Sequence, residues 1–346
     1  MWLINTDTFE LERWDNYEKG SYAILSHTWE DDEVSFQEFQ DLESARKKRG
    51  FDKIERTVLM ARDRNLKFAW VDTCCIDKTS SAELSEAVNS MYKWYDDSAV
   101  CFVHLSDLYS KLDTQYQNSR HFSQPIPSRF KDCRWFTRGW TLQELIAPKD
   151  VKFYDAEWIY IGNKIDLMGE IEKITKVPRR VIQSFGHGNW FHQCLYKESI
   201  AYRMSWASSR ETTRVEDTAY CLLGIFGINM PLLYGEGDKA FIRLQEEICK
   251  QTTDMSLFAW KAKSELPSGG PAQEFRGLFA NHPREFSDDY STLAIGSNMP
   301  YLGEITITNR GIRLDKMPLG PSLISHSLPL KENFQTTPRR YIRSLE

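Results

Sequence analysis

The chain has no apolar stretch near the ~20 residues that a membrane-spanning helix requires, so no helical span is expected. It has no basic stripe and no run of like charge, and its formal net charge is −5. A nucleic acid, whose affinity comes from phosphate neutralisation, is therefore not an expected partner. No two cysteines are spaced as CxxC, which argues against a structural zinc site. The cysteine count of seven is odd, which fits reduced thiols rather than a disulfide framework. There is no P-loop and no GxGxxG fingerprint, so no nucleoside triphosphatase is expected in this segment. Internal repeats and low-complexity tracts are also missing. The opening residues, MWLINTDTFELERW, carry acids where a signal peptide has a basic start and an apolar core. The expected location is cytoplasmic.

What is present is a globular balance: 346 residues, 41% hydrophobic and 27% charged, enough for one large or two small domains. Aromatics make up 13%, with 11 tryptophans, which implies a dense core or an aromatic-lined pocket.

Short apolar runs at residues 22–26, 68–72, 100–105 and 151–154 read as strands, with helical patterns between them. That alternation predicts an α/β fold with a mainly parallel sheet flanked by helices. Asp52, with Glu55 three residues on, is expected to cap a helix reaching Asn65, its core face made of Ile54, Val58 and Ala61. Ser80 and Glu83 repeat the capping pattern ahead of Leu84, Val88, Met91 and Tyr95. Residues 108–132, polar and holding Pro125 and Pro127, read as an inserted loop. A helical region follows. In it Thr213 and Glu216 are expected to open a helix that Gly227 stops, and residues 236–250 carry Phe241, Leu244 and Ile248 at core spacing. After Met255 the chain reads as strands and turns, notably GEITITNRGIRL, and its end has the look of a cut inside a longer protein. The expected organisation is a domain at 1–255, with an α/β core at about 20–160 and a helical part at about 161–255, then a β-rich extension at 256–346.

The densest chemistry lies at residues 134–148, RWFTRGWTLQELIAP. On a helix Trp140 and Glu144 share one face. A carboxylate beside an indole in a low-dielectric wall is well placed to stabilise a cationic transition state. Two apolar runs end abruptly in reactive side chains: YAILSHTWE, with Ser26, His27, Thr28 and Trp29, and WVDTCCIDK, with Asp72 and Thr73. Central parallel strands end this way where they open into a ligand crevice. A structural reading stands beside each. The tryptophans can be core anchors and Glu144 can pair with Arg134 or Arg138. His27 can be a loop histidine bonded to backbone, Asp72 a turn cap, Cys74 and Cys75 buried thiols, and Asp77 and Lys78 a surface ion pair.

Together with residues 206–237, WASSRETTRVEDTAYCLLGIFGINMPLLYGEG, these blocks resemble the fungal heterokaryon-incompatibility (HET) domain. The likeness covers roughly the first 250 residues. It implies a cell-death effector module of a larger incompatibility protein, such as the STAND-type NTPases, acting through self-association. More remotely, YAILSHTWED and RGWTLQEL resemble the "FLSFRGED" and "SRWCLDEL" segments of plant-type Toll/interleukin-1 receptor (TIR) domains, with Trp140 and Glu144 at matching places. That resemblance implies a TIR-like sheet, NAD+ or a related nucleotide as substrate rather than cofactor, and Glu144 as the catalytic residue for cleaving the nicotinamide–ribose bond. Nicotinamide leaves as a neutral molecule, so one carboxylate suffices to steady the ribosyl cation. Trp29, Trp135 or Trp140 would stack on a base or on the cationic ring, and Arg138 or Arg134 would hold a pyrophosphate. The alternative from the same resemblance is a non-catalytic module that triggers incompatibility by binding another protein, with an exposed aromatic patch. A nuclease would want clustered acids or a basic groove, and the sequence offers neither.

Overall fold

The computed structural model describes residues 1–14, 18–112, 126–183, 194–262 and 277–291, and the backbone of three short strands beyond them. The chain divides into two compact units. One is assembled from Met1–Phe191, Arg210–Thr212 and Tyr220–Leu232.

The four apolar runs become the parallel centre of that unit's sheet: β3 (Tyr22–His27), β4 (Phe68–Trp70), β5 (Val100–His104) and β6 (Val151–Tyr154), in the spatial order β4-β3-β5-β6. Every residue of β3 and β5 is buried, as expected for strands with apolar side chains on both faces and helices over each. The sheet is mixed at its margins. The strand β1 (Trp2–Asn5) pairs antiparallel with β4 and β2 (Leu11–Arg13) antiparallel with β1, while β7 (Tyr160–Asn163) adds antiparallel to β6. The edge strands β2 and β7 are short and partly exposed, so they carry no apolar run to announce them.

Five helices of this unit matter for the site: α1 (Phe36–Phe39), α2 (Leu42–Ala45), α3 (Phe51–Arg62), α4 (Ser81–Asp97) and α5 (Thr141–Ile146). The expected cap at Asp52 is not formed. Helix α3 starts two residues earlier, capped at Gly50 without a side-chain hydrogen bond. Its predicted stripe of Ile54, Val58 and Ala61 is buried, and the helix packs on β3 and β4. At α4, Ser80 accepts from the Glu83 N–H at 3.3 Å as expected, but the Glu83 carboxylate accepts from Asp77 N–H at 3.0 Å instead of closing the box. Val88, Met91 and Tyr95 are buried and Leu84 is half-buried. The helix Leu223–Phe226 packs on α4 and ends at Gly227, whose φ of 68° is the left-handed stop expected there. The contact is close: a Cβ added at Gly224 would lie 2.0 Å from Cβ of Tyr92.

Chain direction reverses across the sheet centre. From β3 the chain crosses to β4 on one side, then returns past β3 to β5 on the other. The gap between the carboxyl ends of β3 and β5 is thus the topological switch point, where open α/β sheets bind ligands.

Of the inserted segment 108–132, residues 113–125 lie outside the described residues; its ends form the 3-10 turns Ser110–Leu112 and Phe130–Asp132. In the second unit the helix Lys239–Gln251 buries Phe241, Leu244 and Ile248 as predicted. Glu216, expected at a capping position, also binds a glycine turn. Its carboxylate accepts from the N–H groups of Gly235 and Gly237, at 2.8 and 3.0 Å, in a turn where both glycines have positive φ. The predicted β-rich tail contains the antiparallel pair Ile305–Thr308 and Gly311–Leu314, with Tyr341–Ile342 beside it.

Candidate functional site

Adjacent residues on a strand face opposite sides, so Ser26 and His27, the last two positions of β3, open two different neighbourhoods. Ser26 faces α4 and α5. The segment leading into α5 turns at a 3-10 helix, Arg134–Thr137, and all six residues of α5 are buried before Pro148 ends the run. This brings Glu144 to Ser26, whose hydroxyl donates to the Glu144 carboxyl. The indole N–H of Trp135 donates to the same Ser26 oxygen at 2.8 Å. Tyr95 of α4 hydrogen-bonds Glu144 and also donates to Leu25 O at 2.9 Å.

Glu144 is only 7% exposed. Burial pushes its carboxyl up to about 8; the charge of Asp72 adds to this, while the bonds from Ser26 and Tyr95 and the Arg210 guanidinium pull it down. In the resting protein the group is therefore a neutral acid at neutral pH. Neither Arg134 nor Arg138 pairs with it. The Arg134 guanidinium turns to Thr28 Oγ1 at 3.0 Å and lies 3.8 Å from Glu30, and the Arg138 carbonyl accepts from Arg210 at 2.7 Å. The cation behind Glu144 is Arg210, buried, which also donates to Thr141 Oγ1 at 2.8 Å. Burial lowers it to about 10, so it stays charged.

His27 faces the α3 side. Its Nε2 meets Asp72 at 3.0 Å, and the Trp29 indole N–H donates to the other Asp72 oxygen at 2.8 Å. Burial would raise Asp72, but the contact with His27, the nearby Lys78 and the Trp29 bond outweigh it and hold the carboxyl at about 2. Lys78 lies 3.7 Å from the centroid of the half-exposed Trp29 ring instead of forming a surface pair with Asp77. On the same side Glu33 is ion-paired to Lys53 of α3 and lies 3.9 Å from His27 Nδ1.

The predicted site residues thus fall into two groups on either side of the sheet end. Ser26, Trp135 and Glu144 are joined directly, as are His27, Trp29 and Asp72. Asp72 links the two groups through its field at Glu144. Trp135 is 1% exposed and packs edge-on against Phe136 and Phe153, so it is a core anchor with a polar tip and presents no face for stacking. Trp140 is the half-buried N-cap of α5, and Arg138 contributes its backbone. Thr73 is buried, its hydroxyl without a hydrogen-bond partner among the described residues. Cys74 and Cys75 are buried free thiols, and burial raises Cys74 well above the ordinary thiol range, which keeps Cys74 from being a reactive thiolate. His27 is bonded to a side chain rather than to backbone. Sequence reasoning missed Arg210, Glu33, Lys53 and His104. Of these only His104 left a sign, a histidine ending an apolar strand just as His27 does.

Residues 239–313 match a family model described as a domain of unknown function. No solved structure matches the chain. Over 233 residues, 66% of this chain, the sequence is 44% identical to "Vegetative incompatibility protein HET-E-1" of Podospora anserina. The aligned part spans 16% of that longer protein. Residues 22–144, which begin with β3 and end at Glu144, match the family model of the heterokaryon incompatibility protein (HET), and this chain carries a heterokaryon-incompatibility domain.

Proposed function

We propose that this domain is the cell-death effector of an incompatibility protein and that it hydrolyses NAD+ at the nicotinamide–ribose bond when clustered with other copies. The reading is supported above all by the Trp135–Ser26–Glu144 chain at the carboxyl end of β3. It places one carboxyl group, positioned by a serine and backed by a tyrosine, in a dry wall beside the switch point.

In this reaction the C–N bond between ribose and nicotinamide breaks. The electron pair leaves with nicotinamide, which becomes neutral, and the ribosyl cation is captured by water, releasing ADP-ribose and a proton. The role of Glu144 is to be negative beside that cation. Its resting neutrality suits this role, because the positively charged nicotinamide ring of the substrate favours proton loss from a nearby acid. Ser26 then keeps a hydrogen bond on the ionised oxygen, and Arg210 keeps the charge from being prohibitive. The domain is proposed to act within a larger protein of the kind represented by the Podospora relative, in the cytoplasm.

The test is nicotinamide release from NAD+ by concentrated purified protein, with Glu144→Gln as the control. Parent activity that Glu144→Gln lowers by ~10²–10³-fold, with the fold intact, is the expected result. If Glu144→Gln folds and still kills cells with NAD+ levels unchanged, a non-catalytic interaction module replaces the enzyme reading.

A further inference from the structure

A phenol has one hydrogen to give. Tyr95, on α4, is 1% exposed, and its hydroxyl lies 2.9 Å from the Leu25 carbonyl, which can only accept, so the hydrogen points there. The same hydroxyl also hydrogen-bonds Glu144. With its hydrogen committed to Leu25, Tyr95 can only accept from Glu144, and a carboxyl group donates only while it holds its proton. The resting arrangement is therefore a chain of donors running from Glu144 to Tyr95 to Leu25. It suits the neutral acid described above.

Proton loss breaks that chain. Glu144 becomes an acceptor on both oxygens, and a phenol oxygen that kept its lone pairs towards it would be repelled. The ring is held in place, buried and edge-on to Trp70 with 5.9 Å between centroids and 78° between planes. Nor does the phenol ionise. Burial raises Tyr95 well above the ordinary phenol range, and the charges of Glu144, Cys101 and Asp72 act in the same direction. What can move is the hydrogen, by rotation about the C–O bond. Turned onto the carboxylate it makes a charge-assisted bond, roughly twice as strong as a neutral one, beside the bond already donated by Ser26. The other groups around the pair keep their state across this change. Asp72 is held at about 2 and Arg210 at about 10. The Cys101 sulfur, 4.0 Å from the Glu144 carbonyl oxygen, belongs to a thiol that burial raises well above its ordinary range.

We propose that Tyr95 is a positioning residue that follows the charge of Glu144: its hydroxyl donates to the Leu25 carbonyl while Glu144 holds a proton and turns to the carboxylate when that proton leaves. The turn gives the ionised group a second donor when the reaction proposed above needs its charge, and it frees the carbonyl that precedes Ser26. Its use in catalysis rests on the hydrolase reading; the turn itself does not.

The test is a titration of the full chain from about pH 6 to about pH 10, with 13C at the leucine carbonyls and glutamate carboxyls. Leu25 is assigned by Leu25→Ile and Glu144 by Glu144→Gln. As Glu144 titrates, the Leu25 carbonyl carbon is expected to move upfield, as a carbonyl does on losing a donor. The Tyr95 hydroxyl proton is expected to move downfield onto the stronger acceptor. In Glu144→Gln, whose amide donates as the neutral acid does, both resonances are expected to keep their low-pH positions. In Tyr95→Phe the Leu25 carbon is expected to stand near its high-pH position throughout. In the parent, a Leu25 carbon or a Tyr95 hydroxyl that stays fixed while Glu144 titrates overturns the proposal, whether or not the variants fold. So does a Glu144 that does not titrate in this range, or movement that persists in Glu144→Gln. A coupled titration without nicotinamide release from NAD+ would sink the hydrolase reading and leave the turn. Nicotinamide release with a fixed Leu25 resonance would do the reverse.

Discussion

The Ser26 hydroxyl donates to Glu144, 118 residues further along the chain, at a point where both side chains are buried. The bond joins the end of the first central strand to the helix after the inserted segment, and a neutral acid at its far end makes the pair sensitive to pH.

Stability is expected to show this directly. With its carboxyl raised to about 8, Glu144 keeps its proton when folded and loses it above about 4.5 when unfolded. The sign is therefore unfavourable: stability contributed by this group falls as pH rises from about 4.5 to 8, then levels. Near pH 7 the accumulated cost is on the order of 3 kcal/mol. Glu144→Gln removes it, so the variant should be more stable than the parent in urea near neutral pH and nearly equal near pH 5. Parallel pH curves for the two proteins would show that Glu144 is already ionised in the folded state.

Ser26→Ala removes a hydrogen bond that lowers the Glu144 carboxyl and strands the Trp135 indole N–H. A loss of about 1–3 kcal/mol in stability is expected. If the hydrolase reading holds, the rising limb of kcat/KM against pH should also move to higher pH. A limb that stays fixed would mean that another group governs it.

Asp72 behaves in the opposite sense. Held at about 2, its carboxylate contributes stability that is complete above about pH 4 and is lost as pH falls towards 2. Asp72→Asn should cost about 2 kcal/mol at neutral pH, and the difference from the parent should shrink on acidification. Equal denaturation midpoints at neutral pH would show that the His27 and Trp29 bonds carry no net stability.

Gly224→Ala should destabilise the sheet unit by about 1–3 kcal/mol through overpacking, because the new methyl would fall 2.0 Å from Cβ of Tyr92. The backbone there is ordinary helix, so the penalty is steric and not conformational. Pairing it with Tyr92→Gly, which removes the clashing Cβ itself, should recover part of the loss, and a double mutant no better than the sum of the singles would place the strain elsewhere.

All seven cysteines are free, so the melting temperature should be indifferent to dithiothreitol. A marked fall on reduction would reveal a disulfide that the structure does not contain.

The sequence disclosed the parallel centre because its strands are buried on both faces and therefore read as unbroken apolar runs. The edge strands, such as Leu11–Arg13 with its half-exposed LER, have no such pattern and join the sheet mainly through backbone pairing. The Glu144 neighbourhood was legible as far as Ser26 and Trp135, because polar residues at the ends of apolar runs stand out. Arg210 was not, because its role depends on the chain returning from a distant segment, and nothing local to it signals a hydrogen bond to the Arg138 carbonyl. Glu33 and Lys53 were hidden for a related reason: one follows the strand end and the other lies inside a helix, and only folding makes them an ion pair. The failed cap at Asp52 has a simpler cause, since Lys48 and Arg49 already fold into turns that lead into α3 from Gly50.

The sheet unit takes its chain in three instalments, returning at Arg210–Thr212 and again at Tyr220–Leu232 after an excursion into the second unit. A fragment cut after Glu144, where the family match ends, would keep the carboxyl group but lose both later instalments. With them would go the guanidinium behind that carboxyl and the short helix that covers Tyr92. Modular transplantation of this domain into another protein therefore needs residues through Leu232 at least. Recombination between related genes that breaks within 145–209 would separate the acid from its counter-charge while leaving residues 22–144, the stretch that matches the family model, in place.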